Sequence, residues 1–456
     1  MKGLIFVYVL AYGGALVALF NPWYGFLVFM AFGILRPEAL WSYAFDDVGG
    51  RGFSRTVFFC LLIGWLLRGC GSWRFGKARG AICALVAFCA WSLLSALQAR
   101  FDGAVAMEQV EQYVKIILPI FIGLTLIDSV QKLKQMAWVL LFCCSYLAWR
   151  FNEDYYWNIQ DFSPEEWVFA SMDSNGIALT MVATAALAFF MALNPPDCWK
   201  IPKGVLRLIC LFTVATSTHV VLFSMSRGGM VALILTGFLA FLILPKRPLY
   251  LAMFAAAVLI GLRLAGASVQ ERFAQVFEHE KDASAVSRTV LWGQCWELML
   301  QYPLLGLGPD NWFKWARGYW GTEKAAHTLW LHVGAEMGFP GLFFLASYYF
   351  LSTGRLLRYC FEKTPTLDPW LHTLARLVVA SVVGFAIAAQ FLSVQGVELP
   401  YYIALLGAGM LKIESAQASL AAAGAWASPA PYPVPYQYPV RVPMPAGPRS
   451  PYPVRS

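Results

Sequence analysis

Along its first 413 residues, the chain alternates between long apolar runs and short polar connections. The hydrocarbon core of a bilayer is about 30 Å thick and takes roughly 20 apolar residues per helix. The pattern therefore predicts membrane spans near residues 4–20, 22–35, 53–68, 80–98, 112–127, 135–150, 176–193, 205–223, 228–244, 248–263, 327–353, 372–392 and 398–413. The second run is short, and it is a span, a re-entrant piece or half of a hairpin with the first. We predict an all-α polytopic membrane protein with about 12 or 13 transmembrane helices.

Composition supports this class. Hydrophobic residues make up 59% of the chain and charged residues 13%, whereas soluble domains are about 25% charged. The formal net charge of +8 fits basic cytoplasmic loops and lipid headgroups, so it does not indicate a nucleic-acid partner. The cysteines lie mostly inside apolar runs and form no C-x-x-C pair. They are typical of packing residues, and neither a disulfide framework nor a metal site is indicated.

The bias of lysine and arginine among the connections predicts the orientation of the spans. Four connections are basic and are expected in the cytoplasm: 69–79, 194–207, 245–248 and 354–376. The connection 150–175 is acidic and is expected outside. Alternation then places Arg227 and the long hydrophilic stretch outside and the C-terminus inside. The side of the N-terminus depends on whether the first two runs form one hairpin, and the sequence does not decide this.

Two segments differ from the spans. The outer loop, about residues 264–326, contains an apolar pattern after Ser287 that ends at Tyr302-Pro303, which predicts a capped amphipathic helix on the membrane surface. Residues 414–456 are rich in Pro and Tyr and are expected to form a disordered cytoplasmic tail. The membrane domain is thus predicted to be residues 1–413.

Arginines at the predicted outer face are candidates for binding an anion. Arg227 stands at the mouth of an apolar run in Ser226-Arg227-Gly228-Gly229, where the glycines are expected to leave room for a bulky ligand group. Arg288 is expected to open the surface helix, and a guanidinium can pair bidentately with phosphate oxygens. Arg263 is a weaker candidate. Each arginine could instead be a headgroup anchor or a solvated charge.

His327 stands where the outer loop re-enters the membrane, and a neutral imidazole there can accept a proton from a sugar hydroxyl. Glu336 lies within a predicted span and shares a helix face with His332, which favours a polar contact within the helix over a metal pair. Asp173 and Asn175 precede an outer-face helix and are expected to cap it.

Three segments together resemble the O-antigen ligase and polymerase superfamily. They are Ser226-Arg-Gly-Gly229, then Ser287-Arg-Thr-Val-Leu-Trp292 with Pro303-Leu-Leu-Gly-Leu-Gly308, then His327-Thr-Leu-Trp-Leu331 with Glu336-Met-Gly-Phe-Pro-Gly-Leu342. The resemblance covers roughly residues 170–350. The stretch Arg36-Pro-Glu-Ala-Leu40 is similar to the O-glycosylation ligases associated with exosortase systems.

The resemblance implies a GT-C-like glycosyltransferase of the bacterial inner membrane, with its active site facing the periplasm. Such enzymes transfer an oligo- or polysaccharide, as in lipopolysaccharide biosynthesis, from undecaprenyl diphosphate to a hydroxyl of an acceptor lipid or protein. They need no metal or cofactor. By motif, Arg227 and Arg288 would bind the diphosphate, and His327 would activate the acceptor. Many members have His-Asn where this chain has His327-Thr328, so a role for that Asn side chain is not transferable.

Three functions stay open at the level of sequence. A ligase attaches a finished glycan to an acceptor, and a polymerase extends the glycan by the same chemistry. A transporter of glycan or lipid predicts charges near the midplane of the bilayer and paired repeats. The charges cluster at one face and no internal repeat is evident, which favours the two enzymes.

Overall fold

A computed structural model describes residues 2–41, 52–158, 162–164, 166–170, 172–197, 201–264, 283–361, 364–392 and 396–427. Their regular structure is helical, and the described ranges contain no β-strand. In chain order the helices are α1 (Lys2–Tyr8), α2 (Gly14–Phe20), α3 (Pro22–Leu35), α4 (Pro37–Leu40), α5 (Phe53–Leu67), α6 (Arg79–Leu97), α7 (Gly103–Leu126), α8 (Val130–Trp157), α9 (Ser174–Leu193), α10 (Lys203–Phe223), α11 (Arg227–Ile243), α12 (Pro248–Leu264), α13 (Ala283–Gln301), α14 (Trp312–Trp320), α15 (Leu329–Thr353), α16 (Leu357–Cys360), α17 (Trp370–Ala388) and α18 (Leu399–Ala427). A π-helical turn, Val9–Gly13, joins α1 to α2.

The predicted all-α polytopic architecture is confirmed. A helix coincides with each of the 13 predicted spans, if α1 and α2 are taken as one. Within the described ranges, 6 helices are long and apolar enough to cross a membrane: Gly76–Leu97, Gly103–Leu126, Ser174–Leu193, Lys203–Phe223, Leu329–Cys360 and Trp370–Phe391. Five shorter apolar helices accompany them.

Side-chain caps fix where several helices begin. Asp102 caps α7, Asp173 caps α9, Ser226 caps α11 and Thr328 caps α15, each with an oxygen that accepts a backbone N–H of the first turn. Such caps satisfy amide groups that the helix itself leaves without partners. These four helix starts lie on one side of the bundle, which we call the site face.

The four basic connections lie together at the opposite side, which we call the basic face. Lys134 Nζ bridges Asp197 Oδ1 at 2.8 Å and Asp368 Oδ2 at 2.7 Å. Arg355 donates to the carbonyl oxygen of Lys77 at 3.0 Å. Arg247, in the connection 245–248, lines a cavity of about 370 Å³ together with Asn194 and Arg376. The prediction that these connections share one side of the membrane agrees with these contacts.

The first two apolar runs each extend from one face of the bundle to the other. Trp23, at the start of α3, donates its indole N–H to Gln135 Oε1 at 2.7 Å, near the basic face. Arg36, at the end of α3, donates to the carbonyl oxygens of Ala170 and Gly396 at 2.9 and 2.8 Å, at the site face. Gly3 lies against Trp41, so α1 also begins at the site face. Residue 2 is therefore on the same side as Arg227.

The outer loop folds onto α15. Helix α13 begins at Ala283, so the expectation that Ser287 caps it and that Arg288 opens it is wrong. Residues 283–286 are Ala-Ser-Ala-Val, and alanine favours the helix enough to extend it upstream. The predicted end before Tyr302-Pro303 is confirmed. One side of α13 is buried, through Leu291, Gln294, Cys295, Leu298 and Met299.

The aromatic residues of α14 divide between core and surface. Trp312 is fully buried and donates its indole N–H to the carbonyl oxygen of Lys324 at 2.7 Å, while Tyr319 and Trp320 are exposed. Trp312 therefore packs beneath the loop, whereas Tyr319 and Trp320 face outward.

Two compact units divide the chain, Met1–Ala416 and Gln417–Ser456. Helix α18 continues beyond residue 413, where the membrane domain was predicted to end, as far as Ala427. Residues 428–456, which hold most of the predicted tail, lie outside the described residues.

Candidate functional site

His327 occupies an unusual backbone position two residues before α15. Its φ is +51°, in the left-handed region that non-glycine residues rarely adopt. Its carbonyl oxygen accepts the indole N–H of Trp292, from α13, at 3.4 Å. The next residue, Thr328, is fully buried and accepts the N–H of Leu331 as the cap of α15. Asparagine is an equally good cap, so the Thr at this position is compatible with the local fold.

Burial and two charged neighbours set the protonation of His327. Burial lowers its pKa below the ordinary value, the positive charge of Arg288 lowers it further, and the negative charge of Asp173 acts in the opposite direction. The imidazole is therefore neutral near pH 7, and one ring nitrogen keeps a lone pair that can accept a proton. His327 is thus coupled electrostatically to both Arg288 and Asp173.

Hydrogen bonds connect Asp173 to the start of α11. Asp173 Oδ1 accepts the N–H of Gly176, which confirms its predicted role as a cap. Asp173 Oδ2 accepts from Asn175 Nδ2 at 3.1 Å, and Asn175 Oδ1 accepts from Ser226 Oγ at 2.7 Å. Ser226 Oγ also accepts the N–H of Gly229 at 3.1 Å. The starts of α9 and α11 are thus held side by side.

Aromatic side chains also pack between the start of α11 and His327. A Cβ on Gly228 would lie 2.6 Å from the Cβ of Phe391. The Phe391 ring lies 6.4 Å, centroid to centroid, from Trp292, whose indole N–H reaches His327. The glycine pair was expected to leave room for a ligand. That expectation is wrong, because Phe391 fills the space beside Gly228 and Ala178 the space beside Gly229.

The structure places the three candidate arginines on three different helices. Arg227 is the first residue of α11 and is half-buried, directly after Met225 and Ser226, with Met225 at a φ of +51°. Arg288 is half-buried on α13 and acts on His327. Arg263 is exposed in the last turn of α12, and residues 265–282, which follow that helix, lie outside the described ranges.

Glu336 has a supporting position. It is fully buried, and its Oε1 lies 3.0 Å from His332 Nε2 and accepts the backbone N–H of Trp312 at 3.2 Å. The predicted contact with His332 within one helix is confirmed. The carbonyl oxygen of Glu336 accepts the N–H of Gly308 at 2.9 Å. Glu336 therefore fastens the outer loop to α15.

A cavity of about 1000 Å³ lies on the site face, and few features of the sequence indicated it. We call it the polar cavity after the charged and amide side chains in its otherwise apolar wall. Its described lining includes residues of α3, α5, α7 and the loop before α14, but not His327, Arg227 or Arg288. Polar residues on α7, a predicted span, were the available signal: Gln109, Gln112 and Lys115. Met172 lines the cavity and precedes Asp173 directly, so the cavity adjoins the group around His327.

Comparison with known proteins identifies one part of the chain. Residues 211–346 match the family model described as O-antigen ligase. The match begins in α10, includes Arg227, Arg288 and His327, and ends in α15. No curated protein matches the chain. The resemblance to the O-antigen ligase superfamily is thereby confirmed over residues 211–346. The narrower similarity to exosortase-associated ligases is not confirmed.

Proposed function

We propose that this protein is a membrane glycan ligase. It transfers an oligo- or polysaccharide from undecaprenyl diphosphate to an acceptor hydroxyl on a lipid or protein, at the periplasmic face of the bacterial inner membrane. One observation carries the proposal: His327, half-buried at the start of α15, has a pKa lowered by burial and by the charge of Arg288, while the charge of Asp173 opposes this shift. Beside it begins a helix whose first residue is Arg227. The match of residues 211–346 to the O-antigen ligase family supports the same chemistry.

His327 is the general base of this reaction. As the acceptor oxygen attacks the anomeric carbon, its proton passes to the imidazole. The bond between that carbon and the phosphate oxygen breaks, and the electron pair leaves with undecaprenyl diphosphate. A single displacement inverts the anomeric configuration, and its transition state has oxocarbenium character. A low pKa keeps the base neutral and ready before each turnover.

Arginines stabilise the leaving group. Arg288 and Arg227 bind the diphosphate and offset the charge that develops as it departs, so no metal is required. The start of α11 adds backbone dipoles that favour an anion. Arg263 is a third candidate ligand for the same diphosphate. Ser226 and Gly228 act indirectly, because they fix the start of α11.

The polyprenyl chain has an apolar path beside this group. Helix α11 starts at Arg227 and carries exposed apolar side chains toward the basic face, among them Ile234, Leu235 and Phe238. A donor with its diphosphate at Arg227 could lay its lipid chain along this surface.

Reconstitution with an undecaprenyl-diphosphate glycan and candidate acceptors tests the base. His327→Ala should lose transfer by about 100-fold or more, because general-base catalysis typically contributes about 10²–10⁴. The matched control is His372→Ala, on the basic face, where the ring bonds the carbonyl oxygen of Tyr359. Full turnover by a folded His327→Ala protein would remove His327 as the base.

Replacement of Arg288 by lysine tests diphosphate binding. Lysine keeps the charge but not the planar, bidentate fork, so we expect Arg288→Lys to raise KM for the donor at least tenfold. Arg317→Lys is the control, because Arg317 is an exposed arginine of the outer loop that pairs with Glu323. If both lysine variants use the donor as well as the parent protein, bidentate binding by Arg288 is wrong.

A polymerase is the second candidate, since it uses the same donor chemistry and the same family match fits it. Deletion of the gene separates the two. A glycan ladder that persists without being attached to acceptor indicates a ligase, and a ladder that disappears indicates a polymerase. A glycan or lipid transporter would move the donor without releasing undecaprenyl diphosphate.

A further inference from the structure

The polar cavity contains a buried hydrogen-bond acceptor that the proposed mechanism does not use. His332 lines the cavity and its side chain is 2% exposed. Its Nε2 faces Glu336 Oε1 at 3.0 Å. The same carboxylate oxygen accepts the backbone N–H of Trp312, so it acts as an acceptor and Nε2 donates to it. In the neutral imidazole, Nδ1 then keeps a lone pair.

His332 Nδ1 is buried and has no hydrogen-bond partner among the described residues. Buried polar atoms are nearly always paired, since an unpaired one is destabilising. Here the unpaired atom belongs to a side chain that borders a large cavity. A ligand that brings a hydroxyl donor to Nδ1 would remove the deficit.

The charges around the cavity argue against a phosphate ligand. Arg36, Arg55 and Lys115 line it, but so do Glu38, Asp310 and Glu398. Two of the three cations are already engaged: Arg36 donates to two backbone carbonyls, and Lys115 pairs with Glu111 at 2.7 Å. The lining is balanced in charge, so it favours a neutral, polar ligand.

The remaining lining fits a sugar. The amides of Gln109 and Gln112 and the carboxyl of Asp310 offer donors and acceptors to hydroxyl groups, and Phe29, Phe58 and Phe313 contribute apolar faces. A few convergent polar groups within an apolar wall are typical of small-molecule sites. Ring hydroxyls of a saccharide match the polar groups, and its C–H faces match the aromatic rings.

We propose that the polar cavity is a saccharide-binding site, in which His332 Nδ1 accepts a hydrogen bond from a sugar hydroxyl. Gln112 and Asp310 bind neighbouring hydroxyls. Because Met172 lines the cavity and Asp173 follows it, the bound sugars adjoin the group around His327. This inference rests on the proposed function, which supplies the saccharide: it comes from the glycan of the donor or from the acceptor.

Direct binding to the full-length chain in lipid nanodiscs tests the site. The probes are the free glycan released from its polyprenyl diphosphate by mild acid and the saccharide part of the acceptor, each titrated calorimetrically. His332→Gln should weaken binding of one probe about tenfold, the value of a lost buried hydrogen bond. Glutamine can still donate to Glu336 but has no acceptor at the position of Nδ1. The probe that responds identifies the source of the sugar.

A second variant changes a side chain that lies outside the buried core. Gln112 is exposed on α7, so Gln112→Ala should fold normally and weaken the same probe several-fold. Gln98→Ala is its matched control, since Gln98 is an exposed glutamine on the site face outside the cavity. Thermal unfolding verifies that each variant is folded.

The experiments distinguish a failure of the proposed saccharide site from a failure of the proposed transfer reaction. The proposal is overturned if neither saccharide binds the parent protein, or if folded His332→Gln and Gln112→Ala bind both probes as the parent does. His327→Ala should bind the saccharide with the affinity of the parent while it loses transfer. If His327→Ala transfers normally but the cavity variants still weaken binding, the assigned base is wrong and the saccharide site stands.

Discussion

His327 and Met225 share a local backbone geometry. Each has a φ of +51° and directly precedes a helix cap, Thr328 after His327 and Ser226 after Met225. A left-handed residue costs about 1–3 kcal/mol and persists only where its surroundings fix it. At His327 the surroundings are the Trp292 hydrogen bond and the buried cap. These contacts therefore fix the backbone of His327 in this conformation.

The rate of transfer should depend on pH through His327. A base with a lowered pKa stays neutral until the pH falls below its ordinary range, so the acid limb of kcat/KM should lie below pH 6.5. Asp173 raises this pKa. Asp173→Asn removes the negative charge and keeps a capping side chain, so it should move the acid limb to lower pH. A profile that stays in place, or moves to higher pH, would contradict the proposed electrostatics.

Single residues were predictable where their chemistry is local. The helix cap formed by Asp173 and the contact between His332 and Glu336 each depend on neighbours within four residues. Both predictions are confirmed. The space beside Gly228 depends on Phe391, which is distant in sequence, and there the prediction was wrong. The polar cavity joins Arg55, Gln112 and Asp310 from three separate segments, so no local pattern could reveal it.

At the scale of elements, the outer loop is fastened to a kink in α15. Gly338 has a φ of +68° within that helix, and the kink lets Phe339 donate its N–H to the carbonyl oxygen of Pro303 at 2.9 Å. Leu307 donates to the carbonyl oxygen of Ala335 at 3.0 Å. The sequence predicted the surface helix and the long span but not their contact, because a Gly-Phe-Pro segment is compatible with a helix end as well as a kink.

Gly338→Ala should therefore release the outer loop. A Cβ there would lie 2.3 Å from the carbonyl oxygen of Leu304, and alanine disfavours the positive φ. We expect a loss of about 1–3 kcal/mol from backbone strain alone, with more from the clash, and a lower unfolding temperature. Gly293→Ala, in α13, meets nothing within 4 Å and should be neutral or stabilising. Equal unfolding temperatures for the two variants would rule out this role of the kink.

At the scale of the whole molecule, the two faces differ in kind. The basic face gathers lysines and arginines from four connections, while the site face gathers helix starts capped by Asp102, Asp173, Ser226 and Thr328. The sequence predicted the division from charge alone, since the positive-inside bias acts on each loop separately. It did not decide the side of the N-terminus, because the length of the second run allows either a hairpin or a span. The contacts of Trp23 and Arg36 with opposite faces show that α3 crosses the bundle.

The orientation of these faces in the membrane can be tested with a matched pair of glycines. Gly103 begins α7 at the site face and Gly204 lies in the first turn of α10 at the basic face, and a Cβ on either meets nothing within 4 Å. Because the basic face should be cytoplasmic, a membrane-impermeant thiol reagent should label Gly103→Cys in cells with a permeabilised outer membrane. Gly204→Cys should react above the background of the parent chain only after the inner membrane is broken. The reverse pattern would place His327 in the cytoplasm, on the side opposite to the one that the proposed ligase reaction requires.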